Sequence, residues 1–348
     1  MNNRLNQIQD LLNNPLFGES EKYDLLKDII LEQNFAEIQN VDLSEKVEDL
    51  FEQYLENYNN QDPFNETVIK TGFENLDNNL YGLNLGEVVV IAARPGMGKT
   101  QFMVNLVTNI AQLHKVQFFT FDLSKAALLN RFVACLTGIS TKYLLHKRLS
   151  NTEYDKLVAS KSKIQYLNLF LNDEVQQSLT SFINLCVDAI KNKGIKIIVI
   201  DYLQLVSTHR YKNNREQQVA LIMRELKTLA RAYNVCIIVS SQLSRSVETR
   251  GGDKRPLLSD LRESGSIEQD ADKVMFLYRP DYYKITEDED GNSVVNMMEV
   301  IVAKNNTDKT FSTYLWINEN FTIISDIQSN KVVFNFPTDR LNELNFDI

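Results

Sequence analysis

Short apolar segments alternate with amphipathic segments between residue 68 and about residue 325. The apolar segments are rich in β-branched and aromatic residues, as is typical of parallel strands that are buried on both faces. Between two of them, the segment QQVALIMRELKTLARAYN has the apolar spacing of a helix. This alternation predicts an α/β fold in which helices cover both faces of a mostly parallel central sheet. The predicted strands are VVVIAA (88–93), VQFFTF (116–121), IKIIVID (195–201), VCIIVSSQ (235–242), KVMFLY (273–278), MEVIVAK and FSTYLWIN, with a hairpin turn at DEDGN (288–292) before MMEVIVA.

Residues 1 to about 60 have a different pattern, which is helical and acidic. Ser44 predicts the start of a helix over SEKVEDLFEQYLENY, and NNQDPFNET, with its asparagine run, predicts a linker. This region either packs as a helical cap on its own core or docks on a neighbouring subunit, and the sequence favours neither. We therefore predict a helical N-terminal segment with a linker over residues 1–66, a main α/β domain over 67–327 and a tail over 328–348.

Composition and charge narrow the class of protein. Apolar residues make up 43% of the chain and charged residues 24%, as in ordinary globular proteins. The chain lacks an apolar run of the ~20 residues that a membrane span needs, and its first residues lack a secretory signal, so we expect a cytoplasmic protein. The three cysteines form no CxxC or Cys/His cluster, which favours buried thiols. A net charge of -9 argues against a broad basic DNA-coating face, but it is compatible with DNA contacts confined to a few loops.

The strongest chemical signal is the segment VVVIAARPGMGKTQFMVNLV (88–107). A strand, a short glycine-containing loop, a Lys-Thr pair and a helix form the P-loop arrangement, in which backbone N–H groups hold phosphates. Lys99 would neutralise phosphate charge, and Thr100 would place its hydroxyl on Mg²⁺. The strict G-x-x-x-x-G-K-[ST] pattern fails at its first position, where Ala93 stands. The residues predicted to bind the nucleotide are Ala93, Arg94, Pro95, Gly96, Met97, Gly98, Lys99, Thr100 and Gln101.

Three polar residues end other predicted strands. Asp201 follows KIIVI and fits an acid that positions Mg²⁺, although an aspartate after a strand is more often a turn or helix cap. Asp122 directly follows VQFFTF, where a carboxylate that orients the attacking water is expected. Gln242 ends VCIIVSSQ and could sense the γ-phosphate, although such an amide usually satisfies local backbone groups.

Several of these runs resemble the C-terminal motor domain of DnaB-type replicative helicases, which has a RecA-like fold. RecA-type recombinases and RadA-like repair ATPases would share the nucleotide site but not the stretch SDLRESGSIEQDAD, which makes the resemblance specific. The resemblance implies ATP and Mg²⁺ binding by Lys99 and Thr100, a Walker-B role for Asp201 and a coupling role for Gln242. The runs are TGFENLDNNLYGLNLGEVVVIAARPGMGKT, IIVIDYLQLVS, IIVSSQLSRSVETRGGDKRPLLSDLRESGSIEQDADKVMFLYRPDYY and IVAKNN.

The resemblance also implies loops that bind single-stranded DNA through its phosphates. The matching loop is RPLLSDLRESGSIEQ, with Arg262, Glu263 and Gly265 as the expected contacts. An arginine can pair with a phosphate, and a glycine allows close approach of the backbone. The alternative to DNA binding is that these charged residues lie in loops that only contact water. For a second candidate loop this alternative is as good as DNA binding. The second loop is THRYKNNREQQ, with Arg210, Lys212 and Arg215.

The sequence departs from the family pattern in three places. Asp122 stands where the family has a glutamate, which is one methylene longer. In the run AKNNTDK, Lys304 matches a residue that reaches the neighbouring subunit's ATP site, but Asn306 replaces the family's arginine. Lys309 lies close by, but a lysine lacks the planar fork of an arginine. We expect the family's N-terminal collar domain to be missing or greatly reduced over residues 1–66.

We expect a ring-forming ATPase, hexameric by resemblance, that moves 5′ to 3′ on single-stranded DNA and unwinds a duplex in replication. Asp122 would act as the base, and Lys304 would act across the subunit interface. A primase or a helicase loader would be its partner. Two alternatives remain: a related ATP- and DNA-binding regulator that hydrolyses slowly, and a scaffold whose terminal segments recruit replication factors.

Overall fold

A computed structural model of the chain describes residues 46–48, 51–52, 55–56, 68–174, 178–203, 214–261 and 265–327. The predicted tail and most of the predicted N-terminal segment therefore lie outside the described residues. The same is true of four of the predicted DNA contacts, which are Arg210, Lys212, Arg262 and Glu263.

The described helices and strands alternate along most of the chain. The strands are β1 (Val68–Ile69), β2 (Leu83–Asn84), β3 (Val88–Ala93), β4 (Val116–Thr120), β5 (Leu169–Asn172), β6 (Ile197–Asp201), β7 (Cys236–Gln242), β8 (Lys273–Tyr278), β9 (Met297–Asn305), β10 (Phe311–Ile317) and β11 (Ile324–Asp326). The helices are α1 (Glu74–Leu80), α2 (Lys99–Ile110), α3 (Lys125–Thr137), α4 (Thr141–Leu145), α5 (Asn151–Tyr166), α6 (Leu179–Lys193), α7 (Arg215–Tyr233), α8 (Ser246–Thr249) and α9 (Gly265–Asp270), with 3-10 turns at Leu258–Asp260 and Pro280–Tyr283.

A nine-stranded sheet forms the centre of the fold, in the order β11-β10-β9-β8-β3-β7-β6-β4-β5. The strands from β8 to β5 in this order are parallel to their neighbours, whereas β9, β10 and β11 add an antiparallel edge. β1 and β2 form a separate antiparallel pair. The α/β fold class with a mostly parallel, RecA-like sheet is thus confirmed.

Both faces of the sheet are buried, as the continuous apolar strands predict. Along β3, Val89 and Ile91 belong to one hydrophobic cluster, together with Phe102 of α2. Val90 belongs to the other cluster, together with Leu226 of α7. Because helices cover both faces, only the ends of the strands are left to carry polar chemistry.

The predicted element bounds agree with the structure to within about two residues at most strands, as expected for bounds read from a sequence. β6 begins at Ile197 rather than at residue 195, and β4 ends at Thr120. The DEDGN turn is present, with the Asp288 N–H donating to Asn292 O at 2.9 Å. It closes only a bridge between Glu287 and Ser293 within the longer connection from β8 to β9.

The cysteines are free and buried, as the sequence predicts. No helix among the described residues is long and apolar enough to cross a membrane.

Candidate nucleotide-binding site

The P-loop connects β3, which ends at Ala93, to α2, which begins at Lys99. Gly96 and Gly98 have φ angles of +85° and +87°, a backbone conformation that residues other than glycine rarely adopt. α2 begins directly after the loop, at Lys99, and the first N–H groups of a helix lack partners within it. This geometry suits an anionic ligand such as a phosphate chain.

Aromatic rings lie against both P-loop glycines. A Cβ atom on Gly98 would lie 2.7 Å from Phe321 Cε1, and one on Gly96 would lie 3.0 Å from Tyr282 Cε2. The guanidinium of Arg279 stacks on the Phe321 ring, 4.1 Å from its centroid. No local sequence pattern pointed to these side chains, because they lie far from the P-loop along the chain. The P-loop glycines indicate that other atoms approach the backbone closely there, but they do not indicate which residues these are.

Asp201, at the end of β6, is the centre of a polar cluster and is 2% exposed. The Thr100 hydroxyl donates to Asp201 Oδ2 at 2.9 Å, and the Ser240 hydroxyl donates to Asp201 Oδ1. The Lys99 ammonium lies 3.9 Å from Oδ1. The structure therefore brings together Lys99, Thr100 and Asp201, which the sequence predicts to bind phosphate and Mg²⁺, and it adds Ser240, to which no sequence pattern pointed.

These oxygen atoms fit a divalent cation. Mg²⁺ prefers oxygen ligands and usually keeps several waters and substrate phosphate oxygens. The Thr100 hydroxyl and the Asp201 carboxylate lie side by side at the start of α2. They would hold Mg²⁺ directly or through water, next to a bound phosphate chain.

The Lys99 side chain is largely buried and lies near two carboxylates, those of Asp201 and Asp122. Burial lowers the pKa of its ammonium below the ordinary value, while the charges of Asp201 and Asp122 raise it in part. The Phe121 N–H donates to Asp201 O at 2.9 Å, which places the β4–α3 connection beside β6. Asp122 is exposed in this connection, at the same edge of the sheet as Lys99.

Gln242 lies at the same edge, at the end of β7. Its Cα partner across the sheet is Ala93, the last residue before the P-loop. The next N–H, that of Leu243, donates to Ala93 O at 3.2 Å. The predicted coupling residue is therefore held in register with the P-loop strand.

Other residues of the predicted nucleotide set have different environments. Met97 is buried, whereas Pro95 is exposed. The Gln101 side chain is buried and donates to Thr322 O at 2.7 Å, so only its backbone can meet a nucleotide. The Arg94 side chain donates hydrogen bonds to Glu248 Oε1 and to the Leu243 carbonyl.

Lys304 does not lie at this site. It pairs with Val274 on β8, and Val274 pairs with Val90, so Lys304 lies two strands to the side of β3. Its ammonium donates to Glu268 O at 2.6 Å and to Gln269 O at 3.3 Å, at the end of α9.

Asn306 is held by Asp272, which precedes β8. The Asn306 N–H donates to Asp272 O at 3.1 Å, and its side-chain amide lies 3.4 Å from Asp272 Oδ1. The same carboxylate pairs with Lys227 at 2.5 Å. Lys309 is exposed in the turn between β9 and β10.

The two candidate DNA loops end close together. Gly265 begins α9, is exposed and has an ordinary φ angle, and a Cβ atom there would lie 3.9 Å from Glu216 Oε1. Arg215, which begins α7, donates to Gln218 Oε1 at 2.7 Å. The starts of α7 and α9 thus lie side by side.

Comparison with known proteins agrees with this arrangement. Residues 68–326 match the family described as the DnaB-like helicase C terminal domain. The replicative DNA helicase DnaB of Geobacillus stearothermophilus is 39% identical over 241 residues, which are 68% of this chain and 52% of that protein. The chain thus spans about half the length of this relative.

Two solved structures have the same fold. One, described as an ATPase domain, superposes with a TM-score of 0.73 at 32% identity, covering 82% of this chain and 100% of that domain. A DnaB-like replicative helicase, described with its interactions with primase, gives a TM-score of 0.72 at 31% identity and covers 87% of this chain and 73% of that chain. With a family match over most of the described sheet and a P-loop site at its edge, the chain belongs to the DnaB-like helicase C-terminal domain family.

Proposed function

We propose that this chain is the ATP-hydrolysing motor of a ring-forming DNA helicase that moves 5′ to 3′ on single-stranded DNA during replication in the cytoplasm. The observation that carries the proposal is the meeting of Lys99, Thr100 and Asp201 at one edge of the sheet, with Gln242 in register beside them. A site that binds phosphates, holds a divalent cation and contacts a second strand end suits ATP hydrolysis coupled to movement.

Asp122 accepts the proton of the attacking water in this proposal, and Lys99 neutralises charge that develops on the phosphate oxygens. Thr100 and Asp201 hold Mg²⁺, which supplies further charge stabilisation when bound. Ser240 keeps one oxygen of Asp201 occupied, so that the carboxylate has a single orientation towards Thr100. Gln242 reports the state of the phosphate to the segment that follows β7.

Lys304 acts on the ATP of a neighbouring subunit. Its place two strands from its own P-loop strand supports a role in trans rather than in cis. Asn306, which is tied to Asp272, does not replace the family's arginine, and the exposed Lys309 is the nearest further cation in the same turn.

A ring with head-to-tail contacts, six-membered by family resemblance, would place each Lys304 beside the next P-loop. The N-terminal segment supplies a candidate contact between subunits. Val47, Phe51 and Leu55 are helical, are spaced by four residues and are 81%, 56% and 42% exposed. A helix with such an apolar face fits docking on a second copy of the chain.

Single-stranded DNA would bind where the two candidate loops meet. The adjacent starts of α7 and α9 would present Arg215 and Gly265 together with Arg210, Lys212, Arg262 and Glu263. A few cations in a channel provide a salt-dependent grip that tolerates any sequence. A primase is a fitting partner, since one similar helicase structure is described with primase interactions, and a loader is a second.

A strand-separation assay tests the proposal. Duplexes that carry a 5′ single-stranded arm, a 3′ arm, or both arms as a fork are mixed with the chain and ATP or a non-hydrolysable analogue. We expect separation only with ATP and only with a 5′ arm. No separation with either arm, by a protein that assembles and binds ATP, would contradict the motor and favour the regulator.

A further inference from the structure

The side chain of Arg94 spans two partners outside the P-loop. Its Nε donates to Glu248 Oε1 at 3.0 Å, and its Nη1 donates to Leu243 O at 2.9 Å. The planar guanidinium fixes both directions at once, which a lysine cannot do. Arg94 therefore links the P-loop to the segment that follows β7.

Glu248 holds Arg94 in this orientation. It lies on α8, next to the fully buried Val247, so its backbone is anchored. The Tyr283 hydroxyl donates to the same oxygen, Glu248 Oε1, at 3.1 Å. Partial burial raises the pKa of Glu248, but the hydrogen bonds from Arg94 and Tyr283 outweigh it and lower the pKa overall. The ionised carboxylate is thus the stable partner of Arg94.

Leu243 contacts both Arg94 and the candidate DNA loop. It follows Gln242, and its N–H donates to Ala93 O while its carbonyl accepts from Arg94. Leu243 also forms an isolated antiparallel bridge with Leu261, the residue before Arg262. The adjacent Ser244 N–H donates to Asp260 O at 2.8 Å. A chain of contacts therefore joins the P-loop, Leu243 and the residues Asp260 and Leu261 of the candidate DNA loop.

We infer that Glu248 is a positioning residue for the coupling of ATP hydrolysis to DNA binding. It orients Arg94, and Arg94 holds Leu243 in register with the P-loop. Gln242 and the Leu243–Leu261 bridge keep their positions as a result. This inference rests on the function proposed above.

The pair is poorly suited to a purely stabilising role. The Glu248 side chain is 36% exposed and that of Arg94 is 14% exposed, and an ion pair with one solvent-exposed partner adds little to stability. The loss of Glu248 should therefore leave the fold intact while the register at Leu243 becomes looser. Small misplacements at a catalytic site cost far more in rate than in stability.

The test compares Glu248→Ala, Glu248→Gln and Glu153→Gln with the wild type. Glu153 accepts hydrogen bonds from the N–H and the hydroxyl of Ser150 at the start of α5, a helix that carries none of the assigned site residues, so its variant is a matched control. We expect Glu248→Ala to lower DNA-stimulated kcat by about 10–100-fold while KM for ATP and Tm change little. Glu248→Gln, which keeps an acceptor for Arg94, should fall in between, and Glu153→Gln should match the wild type.

A double-mutant cycle identifies the route. If Glu248 acts through Arg94, adding Arg94→Lys to Glu248→Ala should lower stimulated kcat little further than the stronger single change. Additive effects would overturn this route. Unchanged stimulation in Glu248→Ala would overturn the inference, as would a loss of stimulation accompanied by an equal loss of folding in both Glu248 variants.

Hydrogen exchange separates this inference from the proposed function. The amides of Leu243 and Ser244 should exchange faster in Glu248→Ala than in the wild type, with no DNA present. A wild type without DNA-stimulated turnover would count against the proposed function. Unchanged exchange at Leu243 would count against Glu248 as the positioning residue.

Discussion

The Thr100 hydroxyl donates a 2.9 Å hydrogen bond to Asp201 Oδ2, joining the first turn of α2 to the end of β6. The two residues are separated by 101 positions along the chain, and the sheet order brings them together. This contact places a hydroxyl and a carboxylate, both suited to Mg²⁺, beside the P-loop.

Thr100→Val should remove the hydroxyl while keeping the side-chain shape. Because the cation would lose an oxygen ligand, we expect kcat for ATP hydrolysis to fall by about 100-fold or more. Thr100→Ser keeps the hydroxyl and should retain most of the turnover. Steady-state phosphate release across a Mg²⁺ titration measures both, and equal rates for the two variants would contradict a role in holding the cation.

Asp122→Asn tests the assigned base. The amide cannot accept the proton of the attacking water, so kcat should fall by about 10²–10⁴-fold while ATP affinity changes little. Asp122→Glu restores the residue that the family carries and should retain turnover. Single-turnover hydrolysis with a separate ATP-binding measurement distinguishes the two effects, and a fully active Asp122→Asn would show that another group activates the water.

Lys304 is best tested in mixed assemblies. Lys304→Ala and Lys99→Ala should each be inactive alone, because each removes one half of every composite site. In equal mixtures, about a quarter of random head-to-tail interfaces would combine an intact P-loop with an intact Lys304, so turnover should reappear. ATP hydrolysis after mixing and re-assembly measures this, and mixtures as inactive as the single variants would argue that Lys304 acts within its own subunit.

The pH dependence of ATP binding follows from the environment of Lys99. Burial lowers its pKa below the ordinary value of 10.5, although Asp201 and Asp122 oppose the shift. Only the protonated ammonium attracts phosphate, so affinity should be greatest below this pKa and should fall as the pH rises through it. Bound phosphates favour the charged form, so binding should take up protons in the same range.

Titration calorimetry in buffers with different ionisation heats measures that uptake. Lys99→Arg is the control, because a guanidinium stays charged and should give a flat affinity over the same range. Proton release on binding by the wild type would contradict the assignment.

The sequence predicts much of this fold because its main signals are local. Continuous apolar runs such as 88–93 mark strands buried on both faces, and Asp201 and Gln242 each end such a run. In a parallel sheet these strand ends meet at one edge, so residues distant in the chain can be assigned to one site.

The remaining part of the site depends on contacts between residues that are far apart in the chain, which no local sequence pattern predicts. Phe321 reaches Gly98 through a turn after β10, and Glu248 reaches Arg94 from α8. Asn306 illustrates the same limit. The sequence shows that the family's arginine is absent, but only the structure shows that the asparagine is tied to Asp272.

The central claim is that ATP hydrolysis here drives movement on DNA. The most direct test is steady-state ATP hydrolysis with and without single-stranded DNA, comparing the wild type with Lys99→Ala. We predict that DNA stimulates the wild type and that Lys99→Ala loses turnover under both conditions. ATP binding by the wild type without any DNA-stimulated turnover would contradict the motor.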